Sequence, residues 1–162
     1  MQQSLAHSSY LWFLFSILSH YCNKIPRLKS GIRAGNRFYG LQFHTRSLPC
    51  FTELYYIFYV KGVKVIPLNI YELLTPIALA HWIMGDGATK RHGLILCTDS
   101  YTISEVVRLM NVLMIKYGLD CTFHFNNSTP YPRIYIKQHS MAKLETIVGP
   151  YMHPSFLYKI AK

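Results

Sequence analysis

The stretch Leu79-Ala80-His81-Trp82-Ile83-Met84-Gly85-Asp86-Gly87 is apolar or small apart from His81 and a single acid next to its end. Thr75-Pro76 stands just before it, and proline at a first-turn position costs a helix little because its missing N–H would have had no partner there. The spacing predicts a helix from Thr75-Pro76 through Met84, ended by Gly87. Asp86 then falls at the helix C-terminus, where the negative end of the macrodipole disfavours a carboxylate. A carboxylate retained in that position makes sense if a cation sits against it. The bland alternative is a surface Asp in an Asp-Gly turn.

A second chemistry comes from charge. The 162 residues carry 17 Lys and Arg against 7 Asp and Glu, a formal charge of +10, which favours a polyanionic partner such as nucleic acid or an anionic membrane surface. No acid precedes Glu53, yet Lys24, Arg27, Lys29, Arg33, Arg37 and Arg46 all do. The apolar run Tyr10–Leu18 falls far short of the roughly 20 residues a bilayer span needs, and no Lys or Arg precedes it as in a signal peptide. It reads as a buried amphipathic helix, so no membrane partner is expected. Cys22, Cys50, Cys97 and Cys121 form no CxxC pair and the histidines lack metal-ligand spacing, which argues against zinc and redox motifs.

The elements that position these residues are legible in the C-terminal half. After the Asp86 helix, short strands are expected near Ala88–Lys90 and Gly93–Thr98, joined by the basic turn Lys90-Arg91-His92. Thr102 and Glu105 form a capping box for a helix with Val106, Leu109, Met110, Leu113 and Met114 on its apolar face. Gly118 stops it. A hairpin follows, Cys121–Phe125 and Arg133–Lys137 around the turn Asn126–Pro130, then a helix near Ser140–Val148. The order is α-β-β-α-β-β-α. The N-terminal half repeats part of it: a helix ending near His20, a basic hairpin with a second strand near Phe38–Arg46, and a helix from about Pro49 to Tyr59. Ser9-Tyr10 answers Ser100-Tyr101, and Arg37-Phe38-Tyr39 answers Arg133-Ile134-Tyr135. Residues 1–67 read as a partial repeat lacking its first helix and first strand, and residues 68–162 as a complete one.

The segment LAHWIMGDG, with Leu74-Thr75-Pro76 before it, resembles the signature of the LAGLIDADG homing endonucleases, and the flanking sequence resembles the double-motif organellar intron-encoded group. His81 and Met84 depart from the Gly and Asp of the eponymous motif. The resemblance implies an α+β fold of tandem αββαββα repeats with antiparallel, saddle-shaped sheets, the N-terminal repeat incomplete, and paired helices whose close approach uses small residues such as Ala78, Ala80 and Gly85. It implies phosphodiester hydrolysis with Mg²⁺ or another divalent cation held at Asp86 and Gly85, assisted by Lys64 and Lys159. The sheets would lie in the major groove of double-stranded DNA. Alternation places Gln42, His44 and Arg46 on one face and Arg133, Tyr135 and Lys137 on another, each trio equally an ordinary wet surface. The basic turns at Lys24–Arg33 and Lys90-Arg91 fit the DNA backbone, and Arg37 is a further nucleic-acid contact.

The first acid of the family pattern has no counterpart here. Pairing with a second chain or with a missing N-terminal segment would supply it, and an inactive remnant is the reading without either. Mitochondrial location follows from the organellar group. The runner-up function is a non-catalytic maturase binding intron RNA. A structural RNA-binding protein would leave LAHWIMGDG unexplained.

Overall fold

Two units make up the chain, Met1–Thr52 and Glu53–Lys162. The computed structural model describes residues 1–126 and 129–161. Among the described residues no helix is long and apolar enough to cross a membrane.

In the second unit a two-stranded hairpin, β4 (Tyr59–Val60) and β5 (Val63–Lys64), turns at Lys61-Gly62 with φ of 50° and 79°. Positive φ at both central residues matches the right-handed twist of tight hairpins. One helical turn, α3 (Ile70–Leu73), leads to α4 (Pro76–Asp86), whose first turn is capped by the Thr75 hydroxyl accepting from the Ala78 N–H at 3.3 Å. The helix runs past Met84 and keeps Gly85 and Asp86 in its last turn. Strands β6 (Gly87–Lys90), β7 (Gly93–Leu96), β8 (Cys121–Asn126) and β9 (Thr129–Ile136) form an antiparallel sheet in the order β6-β7-β9-β8. The tip of the expected Asn126–Pro130 turn, at 127 and 128, lies outside the described residues, and β9 starts earlier than Arg133.

One face of this sheet is core. Leu94, Leu96, Ile134 and Ile136 are fully buried, each such side chain contributing roughly 1.5–3 kcal/mol. Helix α5 (Ile103–Ile115) packs on β8 and β9, and α6 (Met141–Val148) on α4. The expected capping box is present: Glu105 N–H donates to the Thr102 hydroxyl, and the Glu105 carboxylate accepts from Thr102 N–H at 2.8 Å. The apolar face is shifted, with Met110 only half-buried. Val112 is buried with Val106, Leu109 and Leu113, whereas Met114 is 44 % exposed, because the buried arc follows the 109-112-113 side of the helix.

In the first unit, β1 (Gln2–Ser4), β2 (Arg27–Arg33) and β3 (Asn36–Gln42) order as β1-β3-β2, with α1 (Ser8–Leu18) packed on β1 and β3 around Tyr10, Leu11, Leu14 and Phe43. Within its own unit, β1 flanks the hairpin as β7 flanks β8 and β9. Two landmarks of the repeat shift. Ser9-Tyr10 lies inside α1, whereas Ser100-Tyr101 precedes α5. Gln42 pairs with Arg27 and Gln2 as Ile136 pairs with Cys121 and Leu94, which sets Tyr39, not Arg37, in the place of Arg133. Strand β3 ends at Gln42 rather than Arg46; beyond it Phe43 exchanges backbone hydrogen bonds with Met1, and Thr45 keeps only an isolated bridge to Cys22. Helix α2 (Pro49–Phe58) has no buried residue.

Gly93 tests the sheet packing. A Cβ there would strike the Ile136 carbonyl oxygen and lie 2.5 Å from the Tyr135 hydroxyl. The tyrosine can swing away; the backbone cannot. Gly93→Ala is expected to destabilise the chain by about 2 kcal/mol, read as a lower denaturation midpoint at unchanged slope.

Candidate active site

Asp86 ends α4 with its side chain exposed. The following residue must be small, because a Cβ on Gly87 would come within 2.5 Å of the Ile83 carbonyl oxygen as the chain folds back into β6. Cys97 N–H donates to the Asp86 carbonyl at 3.2 Å, so the backbone of the acid is fixed to the sheet while its carboxylate stays in solvent.

The carbonyls of the last turn of a helix lack intrahelical donors. Lys159, only 8 % exposed, donates to two carbonyls of that turn, to Met84 at 2.8 Å and to Ile83 at 3.1 Å, the latter also accepting from the Gly87 N–H. Its ammonium also lies 5.0 Å from the Phe156 ring centroid. Burial pushes its pKa below the ordinary lysine value, with the Asp86 charge opposing. Lys159 therefore anchors the helix end that carries Asp86.

Lys64 is the open lysine. Glu105 accepts from the Ile66 N–H at 2.9 Å and Arg108 donates to the Ile66 carbonyl at 2.6 Å, so the segment after β5 is clamped to α5. Lys64 then lines a cavity of about 150 Å³ with Asp86, Trp82, Cys97 and Tyr101. Its contact with the Tyr101 side chain, 5.1 Å from Nζ to the ring centroid, holds its ammonium above the ordinary value, against the opposing effect of burial and with Asp86 contributing. Of the residues the family resemblance implied, Lys64 and Asp86 line this cavity, whereas Lys159 is bonded to carbonyls of the α4 end. Sequence reasoning missed Tyr101, although the Thr102 cap places that residue at the start of α5.

The open face of the four-stranded sheet carries Lys90, Arg133 and Tyr135, as alternation predicts, together with Thr122 and His124. Arg133 is already engaged, donating to both Asp99 carboxylate oxygens at 2.9 and 2.7 Å and holding that acid below its usual range. Lys137, just beyond β9, donates to Asp120 at 2.9 Å. The Lys90 ammonium is 2.7 Å from His124 Nε2, and Arg91 occupies the exposed turn with a φ of 52°. In the first unit, Gln42, His44 and Arg46 line a recess of about 270 Å³ with Lys24 and Arg27. Alternation is not the cause, since His44 and Arg46 lie beyond β3. Arg46 spends its guanidinium on the His20 carbonyl at 2.8 Å. Arg37 is exposed near the hairpin tip; Arg33 pairs there through its backbone, but its side chain lies outside what is described.

A sequence model of the LAGLIDADG DNA endonuclease family matches residues 1–144. The chain belongs to that family. It is 35 % identical over 162 residues to the cytochrome b mRNA maturase bI2 of Debaryomyces hansenii, covering 98 % of this chain and 62 % of that protein. It thus spans less than two thirds of that relative's length. It is 40 % identical over 120 residues to the intron-encoded endonuclease ai4 of Dictyostelium discoideum, covering 74 % of this chain and 76 % of the relative. The solved structure of the homing endonuclease I-WcaI bound to its DNA recognition sequence matches with a TM-score of 0.88 at 28 % identity, over 98 % of this chain and 74 % of the other. The α+β fold expected from the resemblance is the fold of this family.

Proposed function

We propose that the chain is an intron-encoded, site-specific DNA endonuclease of the mitochondrial matrix, built from two versions of one repeat at residues 1–67 and 68–162. The observation that carries this reading is the exposed Asp86 carboxylate at the foot of α4, with the Lys159 anchor behind it and Lys64 across a shared cavity. Duplex DNA would lie on the open sheet face and the basic recess. Lys90, Arg91, Tyr135, Gln42 and His44 offer contacts there, and Arg133 and Lys137 do so through the N–H groups that Asp99 and Asp120 leave free.

A divalent cation fits the donor set. Among the described residues no group of three or more His, Cys, Asp or Glu side chains gathers. Mg²⁺ usually keeps several waters and takes one or two carboxylates plus substrate phosphate oxygens. Asp86 and the Gly85 carbonyl suit that sparing role, and the phosphate completes it. When bound, the ion supplies an acidified water and neutralises charge on the phosphate. The protein's own groups hold the acid rigid through Lys159 and present the Lys64 ammonium to developing negative charge.

The test is cutting of a plasmid that carries the intron-less junction of the host gene. Linear product with Mg²⁺ and none with EDTA is expected. The identity to the bI2 maturase over 98 % of the chain favours a second reading, assistance of splicing through intron RNA. Tight, salt-sensitive binding of intron RNA with no cutting at the junction would sink the first reading in favour of the second.

A further inference from the structure

Tyr101 carries no charge, and none of the roles above uses it. Its ring faces the Lys64 ammonium, 5.1 Å from Nζ to the ring centroid, and both residues line the cavity that contains Asp86. The turn that presents Tyr101 is fastened on several sides. The fully buried Thr98 donates its hydroxyl to the Pro132 carbonyl at 2.5 Å. Asp99 is clasped by the Arg133 guanidinium through two hydrogen bonds. Tyr101 N–H donates back to the Thr98 carbonyl at 3.3 Å. Between them Ser100 has a φ of 79°, in a region that residues other than glycine rarely occupy. Strained backbone persists where surrounding contacts over-determine it, and it concentrates at sites whose geometry is used. The strain here coincides with the turn that sets the Tyr101 ring beside Lys64.

Lys64 needs such a partner. It is exposed at the end of a two-residue strand, and a free lysine stem samples many rotamers, which are lost when the ammonium is recruited to a fixed place. An aromatic face within about 6 Å attracts an ammonium through its quadrupole. The titratable groups acting on Lys64 are Tyr101, Asp86 and Tyr59. We infer that Tyr101 is a positioning residue, holding the Lys64 ammonium over its ring beside Asp86 so that the cation is in place before a phosphate arrives. Its role in cleavage rests on the nuclease reading; its hold on Lys64 does not.

Both parts are tested on the whole chain with Tyr101→Phe and Tyr101→Leu. With lysines labelled by ¹³C, the Lys64 signal is assigned by its loss in Lys64→Arg. The methylene protons next to its ammonium are expected to be displaced by the ring in the wild type and in Tyr101→Phe, and to return to the free-lysine position in Tyr101→Leu. Cleavage by Tyr101→Leu is expected to fall by about tenfold or more at unchanged affinity for the site, and Tyr101→Phe to recover most of it. A wild-type Lys64 signal at the free-lysine position, or one that Tyr101→Leu leaves in place, overturns the inference. If Tyr101→Leu fails to fold, the wild-type displacement decides alone. A wild type that cuts no DNA removes the nuclease reading, and the lysine signal still judges the placement.

Discussion

A chain carrying Asp86→Asn is expected to lose phosphodiester cleavage by at least about a thousandfold, roughly 4 kcal/mol of barrier, while melting no lower than the wild type. The loss follows from chemistry: the amide keeps the shape of the side chain and removes the charge that a hard cation needs. The stability follows from position. Asp86 is exposed and forms no ion pair among the described residues, and it faces the negative end of the α4 dipole. Neutralising it there removes a penalty of about 0.3–1 kcal/mol, which offsets the lost attraction to the Lys64 and Lys159 ammonium groups. Stability kept while turnover is lost is the signature of a residue kept for use. The pair of measurements is a melting curve and a cleavage time course at one Mg²⁺ concentration. A variant that still cuts at more than a few per cent of the wild-type rate would remove Asp86 from the centre of the proposed chemistry. Binding to the DNA site, or to intron RNA under the second reading, is expected to survive.

Lys159→Met should behave differently, losing both properties together. Methionine fills much of the same space, but the Met84 carbonyl loses its donor and the Ile83 carbonyl one of its partners. A buried polar group left without a partner costs about 1–3 kcal/mol; release from burying an ammonium offsets part of this. A net loss of about 2 kcal/mol, or roughly 5 °C in melting temperature, is expected. Cleavage should fall too, because the turn that aims Asp86 is no longer tied down. The pH dependence has a definite sign. The folded-state pKa of Lys159 is depressed by burial, so folding disfavours its proton. Its contribution grows as pH rises toward the unfolded lysine value of about 10.4 and is lost as pH falls through the folded value. The gap in melting temperature between wild type and variant should therefore widen in alkali. A gap that narrows would contradict the placement of this ammonium in the core.

The sequence was most informative where a local rule decides. Thr102 with Glu105, and Thr75 with Pro76, mark helix starts through bonds made within a few residues. Ile134 and Ile136 against Arg133 and Tyr135 show the two faces of β9 by simple alternation. The readings that shifted depend on partners far along the chain. Where β3 ends is decided by distant partners, Met1 for Phe43 and Cys22 for Thr45. The commitment of Arg133 to Asp99 and of Lys137 to Asp120 spans 34 and 17 residues, so surface cations that look free in the sequence are partly occupied. Lys64 and Lys159 were named through resemblance alone; that one is open to solvent and the other sealed against a helix end is a property of packing, with no signature in the residues around either.

The seal around Lys159 also bears on how a reading frame like this one tolerates damage. Phe156 and Ile160 are 3 % and 1 % exposed on either side of the lysine, and a stop codon or frameshift ahead of codon 159 would strip away the fastening of a helix encoded more than seventy codons upstream. Such truncations should be purged about as strictly as a missense change in the acid itself.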